Sequence, residues 1–132
     1  MLHRIIDSIW SSYCYGPADL IHIQKRDRVI HFSLQDSVGN TATAIYHGCA
    51  FWHPDLLKLA GLHLSLVQRA TVPELLQMPN AAALLPLQLN DSSRSKILYG
   101  WEACGLSFYL HQSSKPDTDF LIVAKSLEYL ER

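Results

Sequence analysis

Asp19-Leu20-Ile21-His22-Ile23-Gln24, then Lys25-Arg26-Asp27-Arg28, then Val29-Ile30-His31-Phe32-Ser33-Leu34-Gln35 is the stretch that decides the fold. In its last part Ile30, Phe32 and Leu34 alternate with His31, Ser33 and Gln35, the period of a strand that buries one face. Leu20 to Gln24 alternates in the same way. The charged tetrapeptide between the two runs is polar and short, so the runs pair as an antiparallel hairpin.

Downstream, Asp36-Ser37-Val38-Gly39-Asn40 is rich in residues that tolerate turn conformations, and Thr41 to Ala50 resumes an extended, β-branched pattern. A three-strand meander follows. His53-Pro54-Asp55 starts a short helix carrying Leu56, Leu57 and Leu59, which ends at Gly61. Leu62, Leu64 and Leu66 alternate with His63, Ser65 and Val67 as in a strand, although a leucine-rich run of this length also fits a helix. Thr71 and Glu74 form a capping-box pattern for a helix of one to two turns ending near Pro79-Asn80.

Ala81 to Leu89, broken by Pro86, reads as irregular or as a short edge segment. Asn90 to Ser95 reads as a surface loop. Lys96 to Cys104 and Leu106 to Gln112 read as two strands turning near Gly105, with Ile97, Tyr99 and Trp101 on one face of the first. Ser113 to Asp119 is a polar loop, Phe120 to Lys125 a last strand, and Ser126 to Arg132 either turns helical or extends it. Upstream, Leu2, Ile5, Ile6, Ile9, Trp10 and Tyr13 recur at helical spacing, which predicts a helix over residues 2–14 that ends at Gly16-Pro17. The fold class expected is therefore α+β: a predominantly antiparallel sheet of six to seven strands, an N-terminal helix and one or two further short helices.

With 132 residues, 48% of them hydrophobic and 17% charged, the chain is long enough to close one core, and residues 1–132 are expected to form a single globular domain. Eleven basic against twelve acidic side chains give no global field toward nucleic acid or an anionic membrane. Neither class of partner is expected. Three widely spaced cysteines, Cys14, Cys49 and Cys104, suit reduced thiols better than disulfides, and with no signal-like apolar run at the N-terminus they favour a cytoplasmic protein. Low net charge with many apolar residues is also compatible with a homodimer.

The densest reactive cluster is His47, Cys49 and His53, which share one face if the strand is extended. These residue types bind zinc or copper, but strand neighbours on one face lie about 7 Å apart, so a metal site would need a bulge and a further ligand such as His63 or His111. The alternative places Cys49 and Phe51 in the core and the histidines at the sheet margin. Cys49 with His47 or His22, or Cys104 with His111, would make a nucleophile pair, yet no Gly-x-Ser-x-Gly, Cys-x-x-Cys or His-Glu-x-x-His signature is present. The six glycines are isolated and form no phosphate-cradling loop. No catalytic residue and no cofactor is assigned on this reading.

Asp19 to Asn40 and Phe120 to Tyr129 together resemble the opening hairpin and terminal strand of small bacterial immunity-type domains that neutralise polymorphic toxins, and of uncharacterised relatives. That resemblance implies a non-enzymatic protein-interaction domain whose partner is a protein, in the immunity case a toxin. Lys25, Arg26, Arg28, Trp52 and His53 are the partner-binding residues this reading selects. The alternative is a small-ligand-binding or small enzyme domain with an aromatic-lined pocket near His47, Cys49 and His53.

Overall fold

The computed structural model describes residues 2–6, 12–78, 84–85, 90–115 and 117–131. The expected hairpin is present as β3 (Ala18–Arg26) and β4 (Val29–Gln35), and the third strand of the meander as β5 (Thr41–His47). Around them lie β1 (Leu2–Ile6), β2 (Tyr13–Tyr15), β6 (His63–Ala70), β7 (Ser107–Lys115), β8 (Asp117–Ala124) and β9 (Ser126–Glu131). All pairings are antiparallel, in the order β1-β9-β5-β4-β3-β6-β7-β8, with β2 also on β6. The α+β class and the antiparallel sheet hold, with nine strands among the described residues in place of the six to seven expected.

One end of this order, β8, is joined through a single residue to β9, which lies next to the other end. Lys125 links β8 to β9, and its N–H donates to the His47 carbonyl (2.9 Å), while Ala50 N–H donates to Val123 O (2.8 Å) and Val123 N–H to Phe51 O (3.0 Å). The sheet therefore curls until β8 meets the segment that follows β5, and its inner face encloses a core. Leu20, Ile30, Phe32, Tyr46, Leu64, Tyr109, Phe120 and Leu127, drawn from seven of the strands, form one buried cluster inside it.

β7 and β8 are buried on both faces. Tyr109, Phe120 and Ile122 point into the curl, whereas Phe108, Leu110, Leu121 and Val123 point outward into a second cluster. That outer face is covered by α1 (Val72–Gln77) and α2 (Asp91–Ala103), through Val72, Leu75 and Leu98. α1 starts as its sequence predicts: the Thr71 hydroxyl accepts from Glu74 N–H (3.2 Å) and the Glu74 carboxylate accepts from Thr71 N–H (3.0 Å).

Four expectations are corrected. Leu2–Ile6 is a strand paired with β9 and Tyr13–Tyr15 a strand paired with β6, where a helix over 2–14 was expected; residues 7–11 lie outside the described residues. Pairing with strands distant in sequence overrides the local helical period there. Asn90 to Cys104 is not a loop followed by a strand but α2, capped by the Asn90 side chain accepting from Ser93 N–H (2.8 Å). Its inward side is Arg94, Leu98 and Trp101, a spacing of four and three residues that the alternation of Ile97, Tyr99 and Trp101 conceals.

Ser113 to Asp119 is not a free loop, because β7 and β8 stay paired from Ser107↔Ala124 out to Ser114↔Asp117. Ser126 to Glu131 does not prolong β8 but leaves it to pair with β5. Of the irregular stretch expected over 81–89, Leu84 and Leu85 are described, and both are buried against the outer cluster. The strand expected from Leu62 and the short helix before Gly61 are found as β6 and a 3-10 turn, Leu56–Leu59.

β2 and β3 act as one strand bent at Gly16-Pro17, so that β6 pairs with β3 at Ala18 and Asp19 and with β2 at Tyr13 and Tyr15. Gly16 has φ +111°, and a Cβ there would sit 3.3 Å from Leu66 Cα and 3.4 Å from the Ser65 carbonyl oxygen. Left-handed backbone and a crowded neighbour act together. Gly16→Ala is expected to lower the unfolding free energy by about 2 kcal/mol, read from urea denaturation.

Candidate functional site

The hairpin tip is built by Arg26↔Val29 pairing across Asp27 and Arg28, with Asp27 in the left-handed region at φ 55°. The tip is fixed to the following segment by Cys49 N–H, which donates to the Arg28 carbonyl (2.9 Å). From there the chain runs back along the open edge of β3, where Gly61 N–H donates to Leu20 O (2.7 Å) and Leu20 N–H to Leu62 O (2.8 Å). This path lays Trp52 beside the tip. Lys25 Nζ stands 4.4 Å from the Trp52 ring centroid, within cation–π range.

Beside this pair is a shallow cleft of about 370 Å³ lined by Lys25, Trp52, Pro54 and Asp55 to Lys58. Leu57 on its rim is 64% exposed, an aliphatic side chain next to an aromatic ring and a group of cations. Arg26 and Arg28 are exposed on the same tip. His53 is half-buried, and its Nδ1 accepts from Asp55 N–H (3.0 Å), which shapes the turn into Leu56–Leu59. Of the partner-binding residues read from the sequence, Lys25 and Trp52 are thus in contact; Arg26 faces the other side of the hairpin with Gln24 and His31, Arg28 is exposed at the tip, and His53 follows Trp52 in the chain.

The reactive residues do not converge in this way. His47 lies on the outer face of β5 with Nε2 2.9 Å from Glu128 Oε1. Cys49 is buried and its thiol donates to Tyr46 O (3.4 Å), with burial pushing its pKa up to about 11, which leaves almost no thiolate at neutral pH. Among the described residues no group of three His, Cys, Asp or Glu side chains could hold a metal ion. His63 is engaged elsewhere, by Asp19 Oδ1 at 2.8 Å. Cys104 is exposed at the end of α2, and His111 is sealed inside the curled sheet.

His111 belongs to a feature that sequence patterning did not single out. Its Nε2 lies 2.6 Å from the Tyr46 hydroxyl, which in turn lies 2.5 Å from the Tyr15 hydroxyl, all three side chains being fully buried. The imidazole stacks on Phe120 with centroids 4.3 Å apart and 10° between planes, and Phe32 meets it edge-on. Desolvation drives its pKa down to about 3, only partly offset by the Phe120 and Tyr109 carbonyls. Neither carbonyl makes a well-formed hydrogen bond to Nδ1, which has no partner. Burial likewise raises the Tyr15 and Tyr46 hydroxyls well above the usual phenol value. This is a neutral hydrogen-bond chain in a low-dielectric core, built to stay unionised. The signal in the sequence was there: alternation in β5 and β7 directs Tyr46 and His111 to the inner face.

No helix among the described residues is long and apolar enough to cross a membrane. No family model, curated protein or solved structure matches the chain.

Proposed function

We propose that the chain is a non-enzymatic protein-interaction domain, immunity-like in that it binds and neutralises a toxin, with the hairpin tip and the segment from Trp52 to Lys58 as its contact patch. The observation that carries this reading is the Lys25–Trp52 contact at 4.4 Å, in a cleft shared with the exposed Leu57 and with Lys58, which stands 4.0 Å from Asp55. An aromatic anchor with an adjacent aliphatic side chain and Lys25 against its ring suits a partner with an acidic, partly apolar surface. The buried imidazole and thiols support the same reading, since His111 is held neutral and Cys14 and Cys49 are each raised to about 11, unsuited to proton transfer or attack near neutral pH.

The test is affinity capture from native lysate with wild-type bait beside Lys25→Glu and Trp52→Ala. Wild type is expected to recover a partner, and each variant to bind it at least about tenfold more weakly. Lys25 is exposed, so its replacement reports on binding rather than folding. A strictly monomeric wild type that recovers nothing, or variants that capture as well as wild type, would overturn the reading.

A further inference from the structure

Lys25 and Arg26 end β3 on one side of the curled sheet; Ala18 and Asp19 begin it on the other. On that opposite side is a larger cleft of about 630 Å³. It is open because small residues, Ala18 and Ala42, occupy its wall positions on β3 and β5, where bulky side chains would otherwise fill the mouth. Tyr129 and the exposed Tyr13 give it aromatic surface, and Tyr15, fully buried, backs Tyr129 with centroids 5.2 Å apart and 23° between planes.

The polar part of the lining is anionic. It carries Asp19, Asp36 and Glu131, with His63 against Asp19, and no lysine or arginine among the described lining residues. The Asp36 carboxylate accepts from Val38 N–H (3.0 Å), Asn40 N–H (2.9 Å) and the Asn40 side-chain amide (3.0 Å), which fixes it in place. These bonds, the Asn40 side chain first, also hold its pKa below the ordinary carboxylate value. An anionic ligand would meet repulsion from three carboxylates, and an apolar one would strip them of water without replacement. Phenol rings of Tyr129 and Tyr13 beside negative charge match a cation with an organic body.

We propose that this cleft binds an organic cation, an ammonium or guanidinium group, carried either by a free polyamine or by a lysine or arginine side chain of a polypeptide. The site is separate from the hairpin-tip patch and stands or falls independently of it.

The test is an NMR titration of the full chain with spermidine, with N-acetyl-arginine amide, and with a neutral diol of similar length. One of the cations is expected to saturate with a dissociation constant of about 0.1–1 mM, perturbing the β2–β3 bend and β9, while the diol does not bind. Preference for spermidine assigns a free polyamine, and preference for the arginine derivative a polypeptide side chain. Asp19→Asn combined with Glu131→Gln should weaken binding about fivefold or more, and Tyr129→Leu should do so through the aromatic surface. Lys25→Glu should leave it unchanged, which separates this site from the tip. Lack of saturation by either cation at about 10 mM, equal binding of the diol, or undiminished affinity in the charge variant would overturn the proposal.

Discussion

Phe32→Ala is expected to lower the unfolding free energy by about 3–5 kcal/mol, the usual cost of emptying a fully buried phenylalanine site. Phe32 has no exposed surface and packs edge-on against Tyr46, His111 and Phe120, with centroids 5.3, 5.6 and 6.2 Å away. These neighbours come from β5, β7 and β8, so the cavity would open where strands remote in sequence meet inside the curl. Little can collapse into it, because Tyr46 and His111 are tied to each other by a hydrogen bond. A domain of this size has about 5–15 kcal/mol of stability in total, so the variant should be marginal at 25 °C. Urea denaturation checks this, with Val38→Ala as the contrast: Val38 is 79% exposed at a turn, and its truncation should change stability by less than about 0.5 kcal/mol.

The second large effect is acid sensitivity that originates in His111. In the folded chain burial holds its pKa at about 3, against an ordinary value of 6.5, so on acidification the unfolded chain takes up the proton first. The stabilising contribution is complete above about pH 6.5 and is lost as pH falls from there toward the folded value, at roughly 1.4 kcal/mol per pH unit. Near pH 4.5 the loss amounts to about 2–3 kcal/mol. His111→Phe keeps a flat ring for stacking on Phe120 and leaves the Tyr46 hydroxyl its bond to Tyr15. In that variant the slope of stability between about pH 6.5 and 4.5 should flatten markedly. Asp36 does not confuse the reading: its pKa is lowered from 3.8, so its contribution is lost only as pH drops below that value. An unchanged slope in His111→Phe would refute a core imidazole held neutral by burial.

The elements legible in the sequence are those whose local signal and tertiary role agree. Ile30, Phe32 and Leu34 alternate because one face of β4 is buried, and the polar run Lys25 to Arg28 is the turn at its end. Thr71 and Glu74 state the start of α1 in the residues that cap it. Where partners lie far away in sequence, local period misleads. β1 is a strand because Leu127 to Glu131 pairs with it, and nothing within residues 2–14 records that partner. In α2 the polar residues Ser92 to Ser95 resemble a loop, yet Asn90 caps them and the inward side is set by Leu98 and Trp101. Phe120 to Lys125 reads as a strand and is found in β8, but its end is not legible: buried on both faces, Phe120 to Ala124 shows a continuous apolar run that gives no hint of the turn at Lys125.

The functional residues divide along the same line. Clustered cations and a tryptophan at a strand end were visible as residue types, and the structure adds the fold-back of residues 49–61 along β3 that puts a half-buried Trp52 under Lys25. His47, Cys49 and His53 look like ligands only while the strand is taken as straight and exposed. Instead β5 ends at His47, Cys49 turns into the core, and His53 caps a turn. The cleft bearing Asp19, Asp36 and Glu131 draws on residues scattered from Tyr13 to Glu131, so only the closed sheet assembles it.

The most direct measurement of the central claim is hydrogen–deuterium exchange on the full chain, free and bound to the partner recovered by affinity capture. Protection confined to Lys25–Arg28 and Trp52–Lys58 is the predicted result. Protection over α1 and α2 with the tip unchanged would contradict it.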